Sequence, residues 1–470
     1  MSMRKREELI IEDLEIIDAG AEGKAIARYN DIVVFIAYAV PGDIVDVRIV
    51  SKKRRFMEGV ILNFKKKSHL RVEPVCQHFG LCGGCKWQCM DYMAQLDYKR
   101  NQIEDNFVRI GKLNIPTIPP VVGADPIYYY RNKLEYAFAD RRWLLASEIS
   151  DESIPQSEGL GFHVPKIFDK VIDISTCYLQ AEPSNTIRNT IRNYCLEHKL
   201  SFYNARQWIG LMRNIVIRTT PDGQLMLIVV FGYLDDAIFP MLSFLSNEFP
   251  EITSLNYVIN EKKNDTISDL TVHLYKGVSY LEEYMEDLIF RVGPISFYQT
   301  NSKQAYKLYS IARDFAQLTG DEIVYDLYTG TGTIANFIAR NTLKVIGVEY
   351  VEPAIEDAKS NSLLNNISNT TFYAGDMAKV LNGQFVETNG HPDVIITDPP
   401  RAGMHPDVIS QLLEIEAQRI VYVSCNAASQ ARDLALLEEK YSITKVQPVD
   451  MFPHTHHIEN VVCLELKSEL

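Results

Sequence analysis

Short alternating runs of apolar and polar residues fill the first sixty positions. Residues 9–11, 32–36, 43–50 and 58–61 each read as half-buried strands, with Gly20, Gly23 and Pro41-Gly42-Asp43 as the turns between them. About five such strands predict a small barrel of the OB type. From Tyr92 to Leu113 apolar positions recur at helical spacing, with charges on one face. Residues 215–218 and 225–231 return to strand patterning. Beyond about 290 the chain alternates strands (323–328, 343–349, 371–373, 393–397, 421–424) with helical stretches. That alternation predicts an α/β, Rossmann-like doubly wound sheet. The expected organisation is a barrel over 1–65, a central α+β domain over 66–290 and the α/β domain over 291–470. The 92–113 helix is expected to pack on the last of these.

With 46% hydrophobic and 23% charged residues over 470 positions, the composition is that of a globular protein. No apolar run approaches the roughly 20 residues that cross a bilayer. Met1–Glu8 carries charges with no apolar core behind them, so no secretory leader is expected and the cytoplasm is the default. There, eight cysteines read as metal ligands or reactive thiols rather than disulfides. A net charge of −13 argues against nucleic acid as a partner. Its distribution argues otherwise: between Arg48 and Arg71 nine Lys or Arg face a single acid, Glu58, a local basic face for phosphates.

Candidate chemistry gathers in three places. Cys76, Cys82 and Cys85 stand at C-x5-C-x2-C spacing around Gly83-Gly84, a pattern core packing does not produce. Glycines let backbone wrap a metal centre and thiolates suit zinc or iron–sulfur; with Cys89 or the distant Cys177 as the fourth ligand, spacing leaves zinc and [4Fe–4S] equally open. The second place follows the 323–328 strand, where Thr329-Gly330-Thr331-Gly332-Thr333 turns into a helix and the next strand ends in Glu349, whose carboxylate can accept both hydroxyls of a ribose. Alone this could be a dinucleotide fingerprint. Asp376 after a third strand, and Asp398-Pro399-Pro400 closing a fourth, favour S-adenosylmethionine (SAM) and a nucleic-acid base. Enzymes that methylate amino groups place an aromatic after the two prolines; here Arg401 follows.

The third is Ser424-Cys425-Asn426, where an apolar strand breaks. A lone cysteine is more often a small core residue. At the carboxyl end of a sheet strand beside Asp398, however, Cys425 is placed to be an activated nucleophile. It suits pyrimidine C5 chemistry, in which sulfur adds to carbon 6 so that carbon 5 can take a methyl group. Cys195 and Cys463 read as core. The histidines of 454–457 read as hydrogen-bonded loop residues rather than metal ligands.

Residues Glu22–Arg28 and Val40–Asp43 resemble the TRAM domain of RNA-modifying enzymes. The cysteine pattern, Cys177-Tyr178-Leu179-Gln180, Phe297-Tyr298-Gln299-Thr300-Asn301, Asp398-Pro399-Pro400-Arg401, Ser424-Cys425-Asn426 and His457-Ile458-Glu459-Asn460 together resemble RNA uracil-5-methyltransferases of the RlmD (RumA) kind. The resemblance spans nearly the whole chain. It implies a [4Fe–4S] cluster on Cys76, Cys82, Cys85 and Cys177; that family usually has His at Cys89, which is therefore not expected as a ligand. It implies SAM binding through Gln299, Tyr328, Glu349 and Asp398, Cys425 as nucleophile and Glu459 as the base that removes the carbon-5 proton. Arg131-Asn132-Lys133 and Arg213-Asn214 resemble positions of a central domain that grips RNA. The implied substrate is a uridine of 23S ribosomal RNA, everted from its stack, with neither DNA nor membrane as partner and a monomeric enzyme. The transfer-RNA branch commonly lacks both cluster and barrel. The rival of another class is a non-catalytic iron–sulfur RNA-binding protein.

Overall fold

The computed structural model describes residues 9–149, 151, 153 and 157–468; the charged Met1–Glu8 stretch lies outside them. Strands β1 (Ile10–Ala19), β2 (Ala25–Tyr29), β3 (Ile32–Ile36), β4 (Ile44–Lys52) and β5 (Phe56–Lys66) close a barrel in the order β1-β2-β3-β5-β4. Its inward positions, among them Leu14, Ile16, Ala27, Val34, Ile36, Val45 and Val47, are buried. Closure brings β4 onto β5 so tightly that a Cβ at Gly59 would lie 2.2 Å from Val47 Cγ1.

The predicted basic face is only partly free. Strand pairing sets Lys65 against Asp46 at 3.3 Å and Lys67 reaches Glu73 at 3.3 Å. Arg71 leaves the face altogether: it grips the buried Asp43 carboxylate at 2.5 Å and donates to the Tyr38 carbonyl. Lys52, Lys53, Arg54 and Arg55 stay exposed at the β4–β5 turn.

The central region is a seven-stranded sheet: β6 (Lys133–Ala139), β7 (Gly159–His163), β8 (Val171–Asp173), β9 (Met212–Thr219), β10 (Leu225–Phe231), β11 (Ser254–Ile259) and β12 (Val272–Gly277), in the order β12-β11-β10-β9-β6-β7-β8. A hairpin, β13 (Leu281–Met285) with β14 (Leu288–Val292), leads into the third sheet. There β15 (Ile323–Leu327), β16 (Lys344–Glu349), β17 (Thr370–Ala374), β18 (Val394–Thr397), β19 (Arg419–Ser424), β20 (Tyr441–Val449) and β21 (Glu459–Leu466) run β17-β16-β15-β18-β19-β21-β20. The first five are parallel and β21 is antiparallel to both neighbours.

Period-two alternation sorts the third sheet's side chains onto two faces. Tyr325, Leu327, Ile420 and Tyr422 join one core, while Val324, Val421 and Val423 join the other. Each fully buried Val contributes on the order of 1.5–3 kcal/mol. The first face is covered partly from far upstream: Leu96 and Ile103 of the helix Tyr92–Asn106, with Phe107, pack beside Ala431 and Leu434 of the helix Ala427–Leu437. Lys99 of that upstream helix is sealed against Asp450, Nζ to Oδ1 at 2.6 Å with both side chains fully buried. Among the described residues no helix is long and apolar enough to cross a membrane.

Candidate active site and cysteine cavity

Strand β15 delivers Asp326 and Tyr328 to the carboxyl edge of the sheet. The turn beyond it needs glycine: Gly330 and Gly332 take φ of 54° and 73°. Around Gly330 there is open space, with nothing within 4 Å of where a Cβ would stand. Glu349, ending β16, accepts from the Gly330 N–H at 3.2 Å and the Val351 N–H at 3.0 Å. Asp376 caps the short helix Met377–Val380 by accepting from Ala378 N–H at 3.2 Å.

Behind this turn Asp326 is fully buried, and its Oδ1 has no hydrogen-bond partner. Burial, with Glu349 nearby, pushes its carboxyl up to about 7 against the Thr329 hydrogen bond. Asp398, at the end of β18, is likewise held at about 7 by burial and then by Asp326. Burial first, then Asp398, raises the Tyr309 phenol well above its ordinary value, with Gln299 beside it opposing the shift. The Gln299 carbonyl accepts from Asn132 Nδ2 at 2.9 Å.

Cys425 follows β19 and is half-buried. The antiparallel register pairs Ser424 with Asn460, so Cys425, one residue on, meets Glu459, one residue back. Asn460 Nδ2 donates to Gln430 Oε1 at 2.9 Å, and Gln430 donates to the Tyr422 carbonyl at 3.0 Å, which fixes that register. Asn426 caps the next helix and donates to the Arg401 carbonyl at 3.0 Å, docking the cysteine loop on the Asp-Pro-Pro-Arg loop. Asp433 anchors the latter, accepting from Met404 N–H at 2.8 Å and Tyr422 OH at 2.7 Å.

The thiol is not pre-activated, contrary to the expectation from a strand end. Burial first, then the Glu459 and Asp398 carboxylates, push Cys425 up to about 11, and Arg401 opposes them. Glu459 rises to about 8 through burial and Asp398, again opposed by Arg401.

Cys425, Arg401, His456 and His457 form one wall of a cleft of about 510 Å³. The barrel contributes Asp18, Gly20, Glu22 and Ile26; the upstream helix contributes Tyr98, Asn101, Gln102 and Asp105. Burial lowers His456 and His457 to about 3 and about 4, so both are neutral at pH 7. His454 stacks on Tyr128 with centroids 4.4 Å apart.

Cys76, Cys82, Cys85 and Cys177 line a second cavity, of about 360 Å³. Burial pushes Cys85 up to about 12, with Cys82, Cys177 and Cys76 adding to it and a Gln88 hydrogen bond opposing. Cys89 lies elsewhere, packed with Val40, Met90 and Ala94 and donating to the Tyr38 carbonyl at 3.8 Å. Cys195 and Cys463 are fully buried core residues. Among the described residues, no three His, Cys, Asp or Glu side chains gather as tightly as a single metal ion requires.

Sequence reading missed Asp326 and Tyr309. A lone acid inside the apolar run of β15 was the available signal for the first; Tyr309 sits on an ordinary amphipathic helix and gave none.

A parallel sheet closed by an antiparallel β21, with a glycine turn and an acid after its first two strands, defines a SAM-dependent methyltransferase carrying an N-terminal barrel. Residues 278–467 match the tRNA (uracil-5-)-methyltransferase family model and residues 4–62 match the TRAM domain. A Bacteroides thetaiotaomicron protein named an uncharacterized RNA methyltransferase is 56% identical, over 95% of this chain and all of that one. One from Chlorobaculum tepidum is 41% identical over 90% and 89%. The chain belongs to the RNA uracil-5-methyltransferase family. Among solved structures, the Pyrococcus abyssi tRNA (uracil-54, C5)-methyltransferase in complex with S-adenosyl-L-homocysteine is 27% identical with a TM-score of 0.73, covering 97% of this chain and 100% of its own.

Proposed function

We propose that the protein methylates carbon 5 of a uridine in 23S ribosomal RNA through a covalent Cys425–carbon 6 adduct, acting as a cytoplasmic monomer. The observation that carries this reading is that Cys425, on the wall of the barrel-lined cleft, feels the Glu459 and Asp398 carboxylates, Glu459 being brought beside it by the β19–β21 register. An everted uracil enters there with its carbon 6 against the thiol. Holding a thiolate of pKa about 11 at pH 7.5 costs about 5 kcal/mol, so ionisation accompanies addition. The thiol proton passes to solvent water in the cleft that Cys425 lines, the Sγ–carbon 6 bond forms and the ring's electrons gather on carbon 5. Bound SAM supplies the electrophilic methyl group. Glu459, in its ionised form, then takes the carbon-5 proton; the carbon 5–carbon 6 double bond reforms and the Cys425 thiolate is expelled. Gln299, Tyr328, Glu349 and Asp398 are assigned to SAM. Its fit rests on the partnerless Oδ1 of buried Asp326 and the open space at Gly330.

Cys76, Cys82, Cys85 and Cys177 are assigned to a [4Fe–4S] cluster of structural role. Zinc at 2.3 Å from each sulfur would draw four thiolates into one tight tetrahedron. What supports the assignment is that the four cysteines line one cavity, of about 360 Å³.

Transfer RNA is the second reading, favoured by the near full-length match to the archaeal tRNA enzyme. Coverage of 97% takes in most of the barrel, so a barrel does not by itself separate the two substrates. Mass-spectrometric mapping of methylated uridines in both RNA pools of a deletion strain, complemented with wild type or Cys425→Ala, decides. Loss of one 23S methyl group, restored only by wild type, is expected. Loss confined to transfer RNA would replace the substrate.

A further inference from the structure

Away from the catalytic cleft the central sheet holds a third cavity, of about 320 Å³, lined by Phe168, Tyr203, Trp208, Arg213, Asn214 and Lys263 among others. Two of its aromatics are presented to solvent, Phe168 at 65% and Trp208 at 53% exposure. Trp208 is held out by a tight loop: Asn204 and Ile209 bond at 2.7 Å, Trp208 N–H donates to the Asn204 carbonyl at 2.8 Å, and its φ is 59°. Bulky residues rarely take that conformation, and core packing does not ask for it here.

Each exposed ring carries a cation on its face. Lys263 Nζ stands 3.7 Å from the Trp208 centroid, and the Arg206 guanidinium 5.9 Å from that of Phe168. Beneath them Arg213 is 1% exposed and lies 4.1 Å over Tyr203. It ties down the Lys263 loop through the carbonyls of Asn260, Lys262 and Asn264 and the Asp265 carboxylate, yet its buried Nε has no partner. Asp169 and Asp265 line the same cavity, Asp169 paired with Arg206.

We infer that this cavity is a second RNA subsite, which takes one unpaired nucleotide of the substrate strand by stacking its base on Trp208. The inference rests on the RNA-methylating reading and extends it to a point outside the methylated base. Exposed aromatics interleaved with Lys and Arg are the general equipment for single-stranded nucleic acid: rings for bases, cations for phosphates. Lys263, displaced from the ring by the base, reaches the adjoining phosphate, and the carboxylates accept from exocyclic amines. The cavity adjoins the cysteine cavity, since His163 lines both.

The test is the affinity of the full chain for a single-stranded RNA oligonucleotide bearing the methylation site, for wild type, Trp208→Ala and Trp208→Phe. Loss of one stacked base predicts binding weaker by about 5- to 100-fold for the alanine variant. Phe keeps a ring and most of the affinity, and quenching of tryptophan fluorescence by the RNA is smaller in Trp208→Phe than in wild type. Alanine binding like wild type overturns the subsite and leaves these rings to a protein ligand. SAM-dependent methylation is scored separately: a wild type that binds the oligonucleotide through Trp208 but methylates no uridine sinks the functional reading and not the subsite.

Discussion

Replacing Glu459 by Gln keeps the side chain's shape and removes only its charge and basicity. Glu459 is 5% exposed, begins β21 and faces Cys425, with its carboxyl held at about 8 by burial and Asp398. Two effects follow, of opposite sign. Where Glu459 is ionised, its charge is the largest cause after burial that keeps the Cys425 thiol protonated, so the substitution does not raise the thiol pKa and leaves adduct formation unimpaired. Removal of the carbon-5 proton, however, loses its base, a step worth about 10²- to 10⁴-fold, or about 3–5 kcal/mol of barrier. The covalent adduct then forms faster than it resolves. Incubating the variant with SAM and end-labelled RNA, and separating the products on a denaturing gel, should give a slow-migrating protein–RNA band carrying a methyl group, with turnover down by that factor. Methylated RNA released at the wild-type rate with no such band would remove Glu459 from proton abstraction.

Three further outcomes are expected. A Cys425 thiol at about 11 stays protonated through neutrality, so its iodoacetamide alkylation, read on the Cys425 peptide, should rise about tenfold per pH unit from 7 to 9. A plateau near pH 7 would mean an already ionised sulfur. Lys99→Ala strands the buried Asp450 carboxylate and should cost about 3–5 kcal/mol in urea unfolding, whereas a loss under 1 kcal/mol would show the pair to be dispensable. Anaerobically purified protein should absorb broadly in the visible and lose that absorbance in Cys177→Ser; stoichiometric zinc without iron would remove the cluster.

The strands were legible because their alternation is local. Val421 and Val423 against Ile420 and Tyr422 already announce a strand buried on both faces, and the motif at its end locates Cys425. What joins Cys425 to Glu459 is not local: the two meet only because β21 returns antiparallel beside β19, and the chain offers no short-range sign of that register. The basic stretch misled for a similar reason. Arg71 reads as one more surface charge until β4 and its preceding turn bring Asp43 beneath it. The activation state of the thiol was also out of reach, since it depends on burial and on two carboxyls, Glu459 and Asp398, brought in by different strands. Asp326 and Tyr309 belong to the same class of long-range consequence.

The central claim is a transient bond between Cys425 sulfur and carbon 6 of a uracil. RNA carrying 5-fluorouridine at the methylation site blocks the last step, because fluorine on carbon 5 cannot leave as a proton does. After incubation with SAM and digestion, mass spectrometry should find the fluoro-methyl nucleotide attached to the peptide containing Cys425. Attachment to another residue, or normal methylation of uridine RNA with no adduct from the fluorinated one, would contradict the account.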